Sequence, residues 1–401
     1  MIIKSTRIYT EDGMKSGYIK VKDGKIERIE EHCEEAGVLD YGNQRIIPGI
    51  FDTHTHGICG YSLMGTEQLT EKEKEEEVRG YLKGEASKGT TCVFPTASTD
   101  MFQAVVRVSR EDQQAGAQIL GIHSEGPWLN RVGEKGIKNG WPQVDIRAAQ
   151  KMVENADGML RLVSVAPEIP GIQEIVDYFL SQGIVMGCAH SEGYFAEIRD
   201  AYEHRGFSVS THTGNVMTGM HHRDVGGLGA ALLNEQVMSE VICDGMHICP
   251  EMLKIYFKIK DPSRFMMVSD STPLGGAPIG TYKGWEPSMT QNVTEEGFIL
   301  SDTGRLCGSG QPVLFGIGIL AEKVGLPMET IVQMAALNPA RKYGFAEQKG
   351  SIKEGKDADF AVISDDYRAV ATFVRGVKVY GTEEDGIIFS NRFVAENRIM
   401  S

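Results

Sequence analysis

A closed (β/α)8 barrel of the TIM-barrel class, with a small β domain appended to it, is the fold that this sequence predicts. Eight short apolar segments recur through the middle of the 401-residue chain, and amphipathic segments separate most of them. The two ends of the chain instead carry short strand-like segments. Eight β-then-α units over about 250 residues are what a closed parallel barrel requires.

Short strands joined by tight turns are expected near both ends of the chain. The pairs Asp12-Gly13 and Asp23-Gly24 are typical hairpin turns. The strand-like segments are Ile2-Ile3, Tyr18–Val21, Lys25–Ile29, Ala358–Ile363 and Ala371–Tyr380. Because these two β-rich ends flank one long middle, we expect residues 1–48 and 350–401 to form a small β-sandwich domain and residues 49–349 to form the barrel.

The barrel strands can be placed one by one. They are Ile46–His56, Thr91–Ser98, Ile119–Glu125, Leu160–Glu168, Ile184–His190, Phe207–His212, Val237–Cys243 and Phe265–Asp270. Amphipathic helices are expected between most of them, as in Glu71–Lys88 and Tyr194–His204. The Gly-rich stretch 275–306 fits neither pattern, and we expect it to form a hairpin inserted near the mouth of the barrel.

Charge and composition exclude several classes of protein. The chain carries 41 basic and 55 acidic residues, a net charge of −14. Such an acidic surface repels a phosphate backbone, so we expect no nucleic-acid partner. No apolar run approaches the roughly 20 residues of a membrane helix, and the start lacks a signal-peptide core, so we expect a cytoplasmic protein with no membrane partner. The seven Cys include no CxxC pair, which gives little support to disulfides or a zinc knuckle.

Ionisable side chains stand at the C-terminal ends of the predicted strands, and in a barrel all of those ends open on one face. The first strand ends in His54-Thr55-His56. Two His at alternate positions of a strand point to the same side, so both imidazoles can reach one metal ion. The motif also occurs by chance, and two polar loop residues are the alternative interpretation.

Four more strand ends carry groups of the same kind: Glu125 on the third strand, His190 on the fifth, His212 on the sixth and Asp270 on the eighth. Each alone has an ordinary explanation, because a carboxylate can cap a helix and a lone His is more often structural. Together with the first strand, they predict a site for one or two divalent metals, with Zn²⁺ the best match and Fe²⁺ or Mn²⁺ as alternatives. A metal makes hydroxide available near neutral pH, and Asp270 could then transfer protons.

Three further residues could assist such a site. His247 follows the seventh strand and could hydrogen-bond to a substrate, although a structural role is the alternative. Arg223 lies in the loop after the sixth strand, where it could hold a phosphate or carboxylate or form a surface ion pair. His123 stands two residues before Glu125 and could hydrogen-bond to a metal ligand.

Nearly the whole chain resembles the amidohydrolase superfamily and, within it, the N-acetylglucosamine-6-phosphate deacetylases. The segments that carry the resemblance are PGIFDTHTHG, HSEGPWLN, AHS at His190, STH at His212, GMHHRD, GLGAALL, VICDGMH, MVSDS, LNPAR and GSIKEGKDADFAVI. The resemblance implies hydrolysis of the acetamide of an N-acetylated hexosamine 6-phosphate, which gives acetate and the free amine. It also implies a homodimer.

The same resemblance implies roles for individual residues. The implied principal metal ligands are Glu125, His190 and His212, and the implied catalytic acid and base is Asp270. His54 and His56 would complete a second metal site in some members, with Glu125 as the bridge. The implied substrate contacts are Asn215, Val216, Arg223 and His247. The fourth predicted strand has no Lys, which argues against the subtype with a carboxylated lysine.

Departures from the family pattern fall where the resemblance places the sugar pocket. They are Ser124, Thr213-Gly214, the stretch Lys135–Lys138 and the stretch Gly308–Pro312, which includes Gly310. Lys138 is cationic, so it could still meet an anionic group of the substrate. The sugar therefore stays open. The alternatives are hydrolysis of another N-acyl or cyclic amide, a deamination, and a non-catalytic scaffold, although scaffolds of this fold typically lack metal ligands.

Overall fold

Eight parallel strands close into the predicted barrel. The computed structural model describes residues 1–111, 116–132, 137–138, 143–284, 289–385 and 388–399. The barrel strands are Ile50–Thr55, Thr90–Pro95, Gln118–Ile119 continued by Ile122–Glu125, Leu160–Val165, Val185–Cys188, Phe207–Ser210, Met238–Ile242 and Phe265–Val268. Each pairs in parallel with the next. The ring closes where the backbone N of Asp270 donates to the carbonyl of His54 over 2.9 Å, so the predicted fold class is confirmed.

Helices follow the barrel strands. After strands one to seven come Glu71–Ala86, Phe102–Ser109, Ile146–Ala156, Ile172–Ser181, Phe195–His204, Gly226–Leu233 and Pro250–Ile259. A 3₁₀ turn, Pro262–Arg264, precedes strand eight, and Val313–Ile319, Leu320–Val324, Met328–Val332, Gln333–Leu337 and Asn338–Lys342 follow it. Local sequence sets the starts, because Thr70 and Glu73 form a capping box and Asp145 accepts a hydrogen bond from the backbone of its helix. None of the described helices is both long and apolar enough to cross a membrane.

The main hydrophobic core lies between the strands and the helices, where side chains such as Trp128, Val163 and Phe179 are buried. A separate cluster joins strands four, six, seven and eight through Leu162, Val209, Met238 and Met266. Burying each such side chain contributes about 1.5–3 kcal/mol. The strand ends above this packing are therefore held in fixed positions.

Strands from both ends of the chain lie in one eight-stranded hydrogen-bonded sheet. They are Ile2–Thr10, Gly13–Lys22, Lys25–Glu30, Val38–Asp40, Arg45–Pro48, Phe360–Ile363, Ala369–Val374 and Val377–Gly381. Arg45–Pro48 pairs antiparallel with Phe360–Ile363, and this pairing joins the two ends. The division into residues 1–48 with 350–401 and residues 49–349 stays a prediction.

The segment Ile46–His56 is not one strand, as the sequence suggested, but parts of two. Arg45–Pro48 belongs to the terminal sheet, whereas Ile50–Thr55 opens the barrel. Gly49 separates them, and a Cβ at this position would collide with the side chain of Thr91. The glycine therefore allows strand two to pack closely against the point where the chain enters the barrel.

The Gly-rich stretch after strand eight forms antiparallel strands, as predicted. Gly280–Lys283 pairs with Thr290–Val293, which pairs with Ile299–Ser301. The C-terminal strand Arg398–Ile399 also pairs with Gly280–Lys283, after the helices Thr382–Asp385 and Asn391–Asn397. Short two-stranded ribbons form near the strand ends from Gly57–Ile58 with Tyr61–Ser62 and from Arg131–Val132 with Ile137–Lys138.

Candidate metal centre

Six ionisable side chains meet at the C-terminal ends of the barrel strands. They form two groups, His54 with His56 and Asp270, and Glu125 with His190 and His212, and within each group the donor atoms lie within 4.8 Å of one another. The barrel brings them together because the ends of its strands share one face. Asp270, predicted to transfer protons, lies among the donor atoms of the first group.

The carboxylate of Glu125 stands between the two groups. Its Oε1 lies 3.1 Å from His190 Nε2 and 2.9 Å from His212 Nε2. Its Oε2 lies 3.3 Å from His56 Nε2 and 3.7 Å from His54 Nε2. Each oxygen therefore faces one group, which suits a carboxylate shared by two closely spaced metal ions.

The donor spacing fits small divalent cations. His190 Nε2 and His212 Nε2 lie 3.2 Å apart, and His56 Nε2 lies 3.3 Å from Asp270 Oδ1. Two ligands that each lie about 2.0–2.1 Å from a tetrahedral Zn²⁺ are roughly 3.3 Å apart. In addition, His54 Nε2 is buried without a hydrogen-bond partner, and buried polar atoms normally have one. Both groups therefore suit a metal ion.

Three of these residues have a strained backbone. His190, His212 and Asp270 have positive φ angles of 49°, 29° and 51°, a region that non-glycine residues seldom occupy. Each lies two residues after its strand ends. Such strain costs about 1–3 kcal/mol per residue, persists only where the surroundings enforce it, and is concentrated at functional sites.

Hydrogen bonds to the backbone hold the ring of His190 and the main chain at His212. His190 Nδ1 donates to the carbonyl of Arg131 over 2.6 Å, which leaves its Nε2 to face Glu125. The carbonyl of His212 accepts from the backbone N and the Nδ2 of Asn215 at 2.9 and 3.2 Å. The loop after strand six is thereby tied to the residue that it must hold in place.

Burial and opposite charges act against each other on the His side chains. Burial lowers the pKa of His54, but the carboxylates of Glu125 and Asp270 outweigh it and raise the pKa well above its usual value. The same balance raises the pKa of His56 to about 9. The protonated rings of His54 and His56 supply the positive charge that a metal ion would otherwise supply. Metal binding therefore has to release protons from these rings.

The pKa values of the two carboxylates shift in the opposite direction, below their usual range. Burial raises the pKa of Asp270, but the positive charges of His54 and His56 outweigh it and hold the pKa well below its usual range. The pKa of Glu125 is lowered strongly, again against burial, chiefly by His190 and His54. Both carboxylates are therefore ionised at neutral pH, and an ionised carboxylate can ligate a cation or accept a proton.

Three of the residues predicted to contact substrate, Asn215, Val216 and His247, lie at the ends of strands six and seven. Asn215 is buried beside His212, and Val216 follows it with a positive φ of 47°. His247 Nδ1 donates to Asp244 Oδ2 over 2.7 Å, and Ser309 Oγ donates to the same oxygen over 3.2 Å. The ring of His247 is thereby fixed at the end of strand seven.

Of the two predicted cationic contacts, Arg223 and Lys138, the structure describes the side chain of Arg223 only. Arg223 is exposed and forms no ion pair with any residue that the structure describes. Lys138 is paired through its backbone with Arg131, whose carbonyl accepts from His190. The backbone of Lys138 is therefore close to the second group of donors, but its side chain lies outside the described part of the chain.

His123, which could have supported a metal ligand, hydrogen-bonds to two hydroxyl groups instead. Its Nδ1 is paired with Thr96 Oγ1 at 3.0 Å and its Nε2 with Ser164 Oγ at 2.9 Å. Burial, and after it the charge of His54, lowers the pKa of His123 far below its usual value. The neutral ring instead packs edge-on against His54, with 4.6 Å between ring centroids.

Two buried carboxylates escaped the sequence analysis. Glu240 lies within strand seven, fully buried, and its Oε2 accepts from His54 Nδ1 over 3.1 Å. Asp52 Oδ1 accepts from the backbone N of His54 at 3.1 Å and of Ser269 at 3.3 Å, which ties strand one to strand eight. A carboxylate within an apolar strand is the signal that could have revealed both, because such groups are seldom buried without a partner.

The departures that the structure describes make local contacts. Ser124 is buried, and its Oγ donates to the carbonyl of Gly126 over 3.2 Å. Thr213 is also buried and donates to Ser210 O over 3.1 Å, so its side chain braces the end of strand six. At Gly214 the φ is 98°, and an added Cβ would collide with the hydroxyl of Tyr256.

A parallel α/β barrel with His and carboxylate side chains at its strand ends defines a class, the metal-dependent barrel hydrolases. The chain belongs to the amidohydrolase family, because the sequence model of that family matches residues 45–382. This family is metal-dependent, and the two donor groups provide candidate ligands. The chain is therefore a hydrolytic enzyme that acts on amide bonds.

Named relatives are similar over almost their entire length. The chain is 29% identical to the N-acetylglucosamine-6-phosphate deacetylase of Bacillus subtilis over 393 residues, which covers 94% of this chain and 96% of that protein. It is 26% identical to the N-acetylgalactosamine-6-phosphate deacetylase of Escherichia coli O157:H7, which covers 94% and 98%.

Solved structures show the same architecture. The N-acetylglucosamine-6-phosphate deacetylase of Pasteurella multocida aligns with a TM-score of 0.80 at 26% identity, over 94% of this chain and 99% of that one. The Mycobacterium smegmatis enzyme of the same name aligns with a TM-score of 0.82 over 95% and 100%, and its 23% identity shows the fold alone.

Proposed function

We propose that this enzyme hydrolyses the acetamide of an N-acetylated hexosamine 6-phosphate in amino sugar catabolism, with N-acetylglucosamine 6-phosphate as the leading substrate. The observation that carries the proposal is the pair of donor groups joined by Glu125. The named relatives, which deacetylate sugars of this kind, support the choice of substrate. The reaction releases acetate and the free amino sugar phosphate.

The centre would hold two divalent metals, with Zn²⁺ as the first choice and Fe²⁺ or Mn²⁺ as alternatives. Their proposed ligands are His54, His56, Glu125, His190 and His212, with Glu125 shared. When bound, the metal would polarise the acetamide carbonyl and make a nucleophilic hydroxide available near neutral pH. Metal quantification of the purified protein tests the stoichiometry.

Asp270 is the proposed proton-transfer residue. Its carboxylate lies beside the centre, with Oδ1 3.3 Å from His56 Nε2 and 3.6 Å from His54 Nε2, so it can accept a proton from the attacking water. The same carboxyl then donates that proton to the nitrogen that leaves as the C–N bond breaks. Its backbone is held by hydrogen bonds to His54 O and from Ser309 N, each of 2.9 Å, which fixes the position from which it acts.

Substrate recognition is proposed for five residues: Lys138, Asn215, Val216, Arg223 and His247. His247 has its Nδ1 bound to Asp244, and this contact orients its ring toward a sugar hydroxyl or the carbonyl. Arg223 is exposed in a single chain, so a phosphate contact through it suits a homodimer in which a second copy closes over this loop. We propose a cytoplasmic homodimer with no nucleic-acid or membrane partner.

The identity of the sugar is the point on which the relatives divide. Relatives named for N-acetylglucosamine 6-phosphate match at 27–29% identity, and two named for N-acetylgalactosamine 6-phosphate match at 26% and 28%. These two substrates differ at a single hydroxyl, and a site that hydrogen-bonds to that hydroxyl can discriminate strongly. A kcat/KM comparison of the two sugar phosphates therefore decides between them.

The proposal is tested with a panel of N-acyl amino sugars, each with and without a 6-phosphate. We expect acetate release from N-acetylhexosamine 6-phosphates and far less from the unphosphorylated sugars. Ammonia release, or activity confined to cyclic amides, would instead establish the alternative, an amidohydrolase with another N-acyl or cyclic amide substrate.

A further inference from the structure

We propose that Glu240 is a positioning residue that holds His54 with its Nε2 free for metal, and so sets the metal affinity of the half of the centre that His54 and His56 would ligate. This inference rests on the two-metal site proposed above. Among the described residues, the side-chain hydrogen bonds of Glu240 go to Thr53 and His54 and to no other donor residue of the centre, so it acts on the metal site through His54.

The contact with Glu240 and a metal on the opposite nitrogen together set which nitrogen carries the proton. Glu240 Oε2 lies 3.1 Å from His54 Nδ1, and a metal ion on Nε2 would need the lone pair of that nitrogen, which leaves the proton of the neutral ring on Nδ1, where it donates to Glu240. The other nitrogen, Nε2, points toward Glu125 Oε2 at 3.7 Å and Asp270 Oδ1 at 3.6 Å. The tautomer that donates to Glu240 is therefore the one in which the lone pair of Nε2 faces the donor group.

The surroundings of Glu240 leave His54 as its main partner. Glu240 is fully buried, and no Lys or Arg forms an ion pair with it within the described ranges. Its other side-chain contact is the long hydrogen bond from Thr53 Oγ1 to Oε1, 3.4 Å. The 3.1 Å contact with His54 Nδ1 is therefore the shorter of the two hydrogen bonds that the structure describes for this side chain, and buried polar groups normally need such a partner.

The other three imidazoles of the centre lack such a partner. His190 Nδ1 donates to a backbone carbonyl, His212 Nδ1 is buried without a partner, and His56 Nδ1 lies 3.0 Å from Met64 Sδ. A carboxylate behind a ligating His raises the basicity of that ligand, and losing it typically weakens metal binding 10–100-fold. The effect should therefore be confined to the half that contains His54.

The test is a metal titration of the metal-free protein and of Glu240→Gln, with Zn²⁺ as the probe and with bound metal counted per chain. Wild-type protein should bind two Zn²⁺. Glu240→Gln should bind one with unchanged affinity and the other about 10–100-fold more weakly. Ser239→Ala is the matched control, because Ser239 is the buried neighbour on the same strand and bonds to Lys260 rather than to the centre; its two affinities should not change.

Two unchanged Zn²⁺ affinities in a folded Glu240→Gln would overturn the inference while leaving the proposed function intact. An equal weakening of both sites, or the same loss in Ser239→Ala, would also overturn it, because either result indicates general destabilisation. Binding of a single Zn²⁺ by the wild type would refute the two-metal site and this inference with it.

If Glu240→Gln does not fold, a spectroscopic measurement on the wild-type protein tests the inference instead. ¹⁵N-histidine spectra of the Zn²⁺-loaded protein should show a proton on His54 Nδ1, assigned by its loss in His54→Asn, and shifted downfield by the carboxylate. A His54 signal without a proton on Nδ1 would contradict the proposed orientation.

Discussion

At the scale of single residues, the centre depends on groups whose charge is set by their neighbours. Asp270 combines a strained φ of 51° with a pKa held low by two protonated imidazoles. Glu125 places one oxygen against each donor group. Neither property is visible in the local sequence, because each arises from residues that lie far apart along the chain and meet only in the barrel.

Replacing Asp270 tests the proton-transfer role. Asp270→Asn keeps the shape of the side chain and an oxygen donor but removes the base, so kcat should fall about 10²–10⁴-fold. Bound metal, measured on the same sample, should stay close to the wild-type amount. Retained turnover would remove Asp270 from the proposed role.

Replacing Arg223 tests phosphate recognition. A charge-assisted hydrogen bond contributes about 1.5–3 kcal/mol, so Arg223→Ala should raise KM for N-acetylglucosamine 6-phosphate roughly 10–100-fold, with a small change in kcat. Arg199→Ala serves as the control, because Arg199 is exposed on the helix Phe195–His204. An equal effect of Arg223→Ala on N-acetylglucosamine without phosphate would argue against a phosphate contact.

At the scale of elements, the loop after strand six connects packing with the centre. Asn215 ties this loop to His212, and Gly214 lets it pass close to Tyr256. The sequence predicted the existence of all eight barrel strands, because apolar runs are a strong signal. It placed several of their ends up to three residues too late, because the polar residues that follow each strand carry function rather than strand pairing.

A Gly214→Ala variant tests that close approach. The added Cβ would collide with Tyr256 Oη, and the backbone of residue 214 has a φ of 98°, which alanine rarely adopts. The free energy of unfolding should therefore fall by about 1–3 kcal/mol. Gly219→Ala in the same loop has open space around its Cβ and should be nearly neutral. Chemical denaturation of both metal-free variants makes the comparison, and equal stability of the two would contradict this account of the loop.

At the scale of the whole molecule, buried acids link stability to pH. Glu85 on the first helix accepts from Thr55 Oγ1 over 3.0 Å. Burial and, after it, the charge of Asp52 raise the pKa of Glu85 from 4.5 to about 8. Because the folded pKa is the higher one, the protonated group stabilises the fold fully below pH 4.5, and this contribution is lost as the pH rises through about 8.

Glu85→Gln should therefore flatten the pH dependence of stability. In metal-free protein, the free energy of unfolding of the wild type should fall between pH 5 and 8, and that of Glu85→Gln should fall less. Glu76→Gln on the exposed face of the same helix should follow the wild type. Parallel curves for wild type and Glu85→Gln would show that Glu85 does not titrate in this range.

The whole-molecule fold and the set of donor residues were accessible from the sequence, because HxH and the strand-end pattern survive in local sequence. Glu240 was not, since a carboxylate inside an apolar strand gains meaning only when strand one brings His54 beside it. The pairing of Arg398–Ile399 with the strand Gly280–Lys283 could not be predicted from the sequence either, because a two-residue strand is too short to show an alternating pattern.

The central claim is that a metal centre on this barrel removes acetate from an N-acetylhexosamine 6-phosphate. The most direct measurement follows acetate and free amine from N-acetylglucosamine 6-phosphate, with protein as purified, after chelation and after Zn²⁺ is restored. We predict equal amounts of acetate and amine, loss of both on chelation and recovery with Zn²⁺. Two results would contradict the account. One is unchanged acetate release by protein shown to be metal-free. The other is no acetate release by the metal-loaded protein from N-acetylglucosamine 6-phosphate or N-acetylgalactosamine 6-phosphate.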